Sequence, residues 1–132
     1  MVQEQAFTQV LRELSSGENS SIAIGESEVS LRIFDNKSKL SLLTSVYDGE
    51  GLIPSSVREA ASHSLPSPTN IHTSLRFDEG RGVVFLSYIG GVERLSKGGF
   101  RDLLEDYAHL ADQWRHFLDE NDHREKARIR RH

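Results

Sequence analysis

The sequence predicts an α+β domain: one antiparallel, twisted sheet packed by helices, in the order helix, three strands, short helix, two strands, long helix. Three observations carry this reading. Residues 3–15 and 99–121 place apolar side chains at three- and four-residue steps. Residues 21–34, 39–47 and 71–77 are short runs that alternate apolar with polar groups over much of their length. The breaks between these runs are built from glycine, proline, aspartate and asparagine.

The first helix sets Phe7, Val10, Leu11 and Leu14 on one face and leaves Gln3, Glu4, Gln9, Arg12 and Glu13 to solvent. Ser15-Ser16-Gly17 ends it, since glycine tolerates the left-handed geometry of a helix C-terminus. Residues 21–24 and 28–34 read as two strands joined across the short Gly25-Glu26-Ser27 turn. In the second, Val29, Leu31 and Ile33 share a face. Asp35-Asn36-Lys37-Ser38 is a turn by composition. The third strand, 39–47, sets Leu40, Leu42, Thr44 and Val46 on one face, with Leu43 and Tyr47 expected on the other. Pro54-Ser55-Ser56 starts a brief helix over about 55–63, with Val57, Ala60 and Ala61 as its stripe. Pro66 and Pro68 make residues 65–70 an extended linker. Residues 71–77 and 83–89 form a hairpin, the latter apolar on both faces and expected to end at Gly90-Gly91. The closing helix, roughly 99–121, carries Phe100, Leu103, Leu104, Tyr107, Leu110, Ala111, Trp114, Phe117 and Leu118 against a charged opposite side.

At 132 residues the chain is expected to be a single domain, 1–121, followed by a basic, flexible tail, 122–132. Net charge is -4, so the whole protein is not built as a general nucleic-acid binder. No cysteine is present, which excludes disulfides, thiol catalysis and cysteine-based zinc sites. No apolar run is long enough for a signal peptide or a membrane span, so a soluble, cytoplasmic protein is expected.

Catalytic patterns are lacking. His109, His116 and His123 are seven residues apart, about 10.5 Å along a helix, too far to share a metal ion. The serines lie in turns and on polar strand faces, with no Gly-x-Ser-x-Gly elbow. The pairs Gly90-Gly91 and Gly98-Gly99 lack the Lys-Ser/Thr that completes a phosphate cradle. No enzyme activity, cofactor or metal is expected. The tail residues Arg124, Lys126, Arg128, Arg130 and Arg131 are of the type that contacts phosphates, but no aromatic is interleaved to stack on bases. What remains is apolar sheet surface in excess of what one long and two short helices can cover. Such patches mark protein-binding sites.

The element order, with Leu40-Ser41-Leu42-Leu43 running on to Gly51-Leu52-Ile53-Pro54, Leu75 through Val83-Val84-Phe85-Leu86, and Phe100-Arg101-Asp102-Leu103-Leu104 through Trp114 to Leu118, resembles the class I type III secretion chaperones, the family that includes the Tir/CesT-like chaperones. The resemblance spans residues 3–120 and rests on apolar spacing. It implies a bacterial, cytoplasmic homodimer that binds the N-terminal segment of one or more secreted effector proteins. The effector is kept secretion-competent for the secretion apparatus without nucleotide hydrolysis. It further implies effector contacts at Phe7, Val10, Leu11, Leu14, Leu31, Ile33, Leu40 and Leu42. The dimer contacts it implies lie at Val57, Ala60, Ala61, Val84, Leu86 and Tyr88. The middle helix is shorter than the family pattern. Two alternatives stand beside this reading: a same-fold adaptor or regulator of another protein, and a nucleic-acid-associated regulator acting through the tail.

Overall fold

The computed structural model describes residues 2–63, 71–93 and 95–130, with side chains described as far as Asp122. The linker expected at 65–70 lies outside the described residues. The elements are α1 (Glu4–Ser15), β1 (Ser20–Ile24), β2 (Ser27–Phe34), β3 (Lys39–Asp48), α2 (Ser55–Ala61), β4 (Thr73–Asp78), β5 (Val83–Gly91) and α3 (Lys97–Arg130). The five strands form one sheet in the order β1-β2-β3-β5-β4, antiparallel throughout. The chain therefore meanders through β1–β3, crosses by way of α2, and returns with β5 inserted between β3 and β4.

The expected faces of β2 and the first part of β3 are the observed ones. Ile22 and Ile24, Val29 and Leu31, Leu40 and Leu42, and Val84 and Leu86 are buried in one cluster with Phe7, Val10 and Leu14 of α1 and Phe100, Leu104, Tyr107, Ala111, Trp114 and Leu118 of α3. Each large side chain enclosed in this way contributes roughly 1.5–3 kcal/mol before entropy is subtracted. The other face stays open. It presents Ser21, Ala23, Glu28, Ser30 and Arg32 to solvent, with Leu43 and Phe85 half-buried and Ile89 exposed. The apolar excess read from the strands is thus mostly gathered on a single, covered face.

Tyr47 departs from its expected side. The register between β3 and β5 slips between Ser45 and Tyr47, a bulge that opposes two residues to one. Both Val46 and Tyr47 are consequently buried. The Tyr47 hydroxyl donates to Asp122 Oδ2 at 3.1 Å. Beside the bulge, Arg115 Nη2 donates to the Ser45 carbonyl and to Ser27 Oγ, each at 3.0 Å, while Nη1 bonds Asp112 Oδ1 at 2.7 Å. Higher on the same helix, the Tyr107 hydroxyl donates to the Leu86 carbonyl at 2.5 Å. These polar ties fix the rotation and height of α3 on the sheet.

Two boundaries move from their expected places. Gly90 and Gly91 belong to β5, where they pair with Leu40 and Lys39 of β3, and a side chain at Gly90 would collide with the Tyr88 ring. The closing helix starts at Lys97, where the Ser96 hydroxyl accepts from the Gly99 amide at 2.9 Å as an N-terminal cap. It then runs past residue 121 to Arg130, since residues 122–130 contain helix-forming Glu, Lys, Ala and Arg and no glycine or proline. At 34 residues the helix is about 51 Å long.

The β3–α2 and β4–β5 connections clasp each other. Gly49 N–H donates to the Gly82 carbonyl at 2.8 Å and Gly51 N–H to the Arg81 carbonyl at 3.0 Å. Gly82 has φ 69 and sits so close to Gly51 and Leu52 that no Cβ fits. Gly82→Ala should therefore cost roughly 1–3 kcal/mol, read as a lower urea midpoint. Burial and the neighbouring Asp122 raise the Tyr47 hydroxyl from 10.0 to about 12. A group whose folded pKa is raised stabilises fully below its unfolded value and loses that contribution as pH rises through the folded one. Stability should accordingly fall between pH 10 and 12, and Tyr47→Phe should make that fall shallower in denaturation curves taken across this window.

Candidate protein-binding grooves

One groove of about 310 Å³ lies where α1, the β2–β3 hairpin and the start of α3 meet. Leu11 and Leu14, one helical turn apart, form one wall. Ile33 and Leu40, paired across β2 and β3, form the floor. Val92, Leu95 and Phe100 close the far side, and the Phe100 ring meets the Phe7 ring at a tilt, with centroids 5.5 Å apart. Ser15, Ser96, Lys37 and Lys97 supply the polar rim. An apolar floor with a few polar groups at its edge suits an aliphatic or aromatic side chain presented by another chain.

Four of the eight expected effector-binding residues, Leu11, Leu14, Ile33 and Leu40, are gathered in this groove. Leu11 and Ile33 are half-buried, whereas Leu14 and Leu40 are almost fully enclosed. Phe7, Val10, Leu31 and Leu42 are buried in the core behind it, none more than 1 % exposed. Val92, Leu95, Lys37 and Lys97 were not singled out from sequence as site residues. The only signal for the first two was an apolar pair inside an otherwise glycine-rich connection.

A second trough, about 430 Å³, runs between α2, β4 and α3 and is lined by Ala61, His63, His72, Leu75, Phe77 and Trp114 among others. Of the residues expected at a dimer contact, Ala61 lines it and Leu86 forms part of its base. Val57 and Ala60 are buried and Val84 is fully enclosed, while Tyr88 is half-buried on β5. In that lining, Phe77 is 40 % exposed, with the Arg58 guanidinium 5.9 Å from its ring centre. Arg58 also pairs with Glu79, whose carboxyl this bond holds below the usual range. Leu52, 70 % exposed, projects from the β3–α2 connection.

His63, His72, His109 and His116 are all exposed. Among the described residues no cluster of three histidine or acidic side chains is placed to hold a metal ion, and no helix is long and apolar enough to cross a membrane. Glu4 bonds Arg101, which holds its carboxyl below the ordinary range, and the same guanidinium lies 4.8 Å over the Phe7 ring. These groups brace α1 against α3 at one end of the first groove.

No family model matches the sequence, and no curated protein matches it. Solved structures do. A chain of the ExsC–ExsE complex superposes with a TM-score of 0.63 at 20 % identity, covering 86 % of this chain and 90 % of that one. The HopA1–SchA chaperone–effector complex gives 0.57 at 16 %, covering 83 % and 88 %. The Yersinia pestis type III secretion chaperone SycH, bound to a stable fragment of YscM2, gives 0.54 at 14 %, covering 83 % and 94 %. With the same helix and strand order and the same open antiparallel sheet, the chain has the fold of the type III secretion chaperones.

Proposed function

We propose that this protein is a type III secretion chaperone, acting by binding alone, that holds the N-terminal segment of a secreted effector in the groove between α1, β2–β3 and α3. The observation that carries the proposal is the coincidence of fold and surface. A chain of this fold is found in a chaperone–effector complex, and here four of the eight apolar residues expected to meet an effector line a groove at the surface. A disordered client costs several kcal/mol to order, so it needs a long apolar track. A homodimer supplies one by repeating the groove. The α2–β4 trough with Phe77 in its lining is the self-contact that would leave both grooves free. Leu11, Leu14, Ile33 and Leu40 then touch the client directly, and Phe7, Val10, Leu31 and Leu42 support them from within. Because effectors are handed on from the cytoplasm of a bacterium, that is where the protein acts.

The partner is identified by purifying the protein from its own cell and analysing what accompanies it by mass spectrometry. Leu11→Asp combined with Ile33→Asp places carboxylates over the apolar floor and should weaken client capture roughly tenfold or more with circular dichroism unchanged. Undiminished capture by a folded double variant would remove the groove from the mechanism. Leu31→Asp and Leu42→Asp report on folding instead, since both side chains are sealed in the core. In sedimentation equilibrium the protein should run at twice its 14.9 kDa, and Phe77→Asp should return it to a single subunit. A wild-type protein that stays a single subunit when concentrated would rule the self-contact out.

A further inference from the structure

The rim of the groove carries a charge pattern that apolar capture does not require. Its lining includes two ammonium groups, Lys37 and Lys97, and no carboxylate, although the chain as a whole is acidic. Both lysines are exposed. Two acids close to the rim are already engaged: Asp35 pairs with Lys39 at 3.8 Å, and Glu4, which feels Lys97, bonds Arg101. Lys37 is held over the groove by an unusual turn in which Asp35, Asn36 and Lys37 all take left-handed backbone conformations, with φ of 56, 55 and 64. The turn is pinned by the Ser38 amide and hydroxyl on the Asp35 carbonyl, at 3.1 and 2.6 Å, and by the Val92 amide on the Ser38 carbonyl at 3.0 Å. That last bond ties the lysine-bearing turn to the opposite wall.

We infer that the groove selects an extended client segment in which a large aliphatic side chain is flanked within a residue or two by an aspartate or glutamate. The aliphatic group fills the floor and the carboxylate meets Lys37 and Lys97 at the rim. The inference rests on the groove reading proposed above and adds the chemistry of the segment it takes. Complementary charge at a rim sets partner choice and register more than affinity, so the lysines determine which aliphatic residue of a client is seated. Each rim contact is solvent-exposed and contributes about two- to fivefold in affinity, weakening as salt is raised.

A phage-displayed library of random linear peptides, selected on the full chain and on the Lys37→Glu/Lys97→Glu variant, tests this. The expected result is enrichment of an aliphatic residue beside Asp or Glu on the wild type, shifting to Lys or Arg on the variant. Synthetic versions of the selected peptides should bind Lys37→Gln and Lys97→Gln about two- to fivefold more weakly each, with less salt dependence, and thermal unfolding should confirm that the variants fold. Aliphatic enrichment with no acidic neighbour, or an acidic preference untouched by charge reversal, overturns the inference and leaves the groove reading standing. An aromatic in place of the aliphatic residue overturns the inference alone, whereas absence of any apolar motif, or peptides whose binding survives Leu11→Asp/Ile33→Asp, overturns both.

Discussion

A sheet whose helix-side face carries Ile22, Val29, Leu31, Leu40, Leu42, Val84 and Leu86 cannot be left open to water, and α3 is the element that closes it. Its stripe from Phe100 to Leu118 lies in the same cluster as those strands, so packing against the sheet, more than helix propensity, holds it in place. The apolar contact by itself is non-directional. The Tyr107 hydroxyl on the Leu86 carbonyl, the Arg115 fork on Ser27 and Ser45, and Tyr47 against Asp122 add direction. Leaving any of these polar groups enclosed without its partner costs more than the bond contributes, so other rotations of the helix are disfavoured.

Both grooves follow from this arrangement. Because α3 is fixed along the sheet, its first turn stands beside α1 and the β2–β3 hairpin, and the space between them is lined by side chains too short to fill it. Toward its other end the helix takes α2 against it, and the gap between α2 and β4 forms the trough. The first groove offers an apolar floor with polar edges, which suits recognition of another polypeptide, while histidines and hydroxyl groups mix with apolar side chains in the second.

Much of this was legible in the sequence, because period-two and period-3.6 patterns report directly which face of an element is covered. Val29/Leu31/Ile33 and Leu40/Leu42 fixed the helix-side face, and the three- and four-residue steps from Phe100 to Leu118 fixed the stripe of α3. What escaped depends on geometry with no local signature. The bulge at Ser45–Tyr47 adds one residue to β3 and turns Tyr47 inward, against strict alternation. Gly90 and Gly91 resemble a strand end but lie inside β5, where a side chain at Gly90 would collide with Tyr88. Val92 and Leu95 looked like connector residues, yet they close a groove whose other walls come from residues 11–15 and 33–40. That assembly exists only in three dimensions. The burial of Phe7, Val10, Leu31 and Leu42 likewise depends on how far α1 and α3 cover the sheet, which periodicity does not report.

The insertion of β5 between β3 and β4 has a consequence for the order of events on the ribosome. The meander β1–β2–β3 and α1 emerge first and contain only local pairings, so they can begin to associate early. The strand that pairs with β3 and the loop and helix that complete the groove emerge last. A nascent chain therefore has half of the groove, with the apolar face of its meander still open, until β5 and the start of α3 have been synthesised. The interval before α3 closes the sheet is when the chain is most exposed to aggregation.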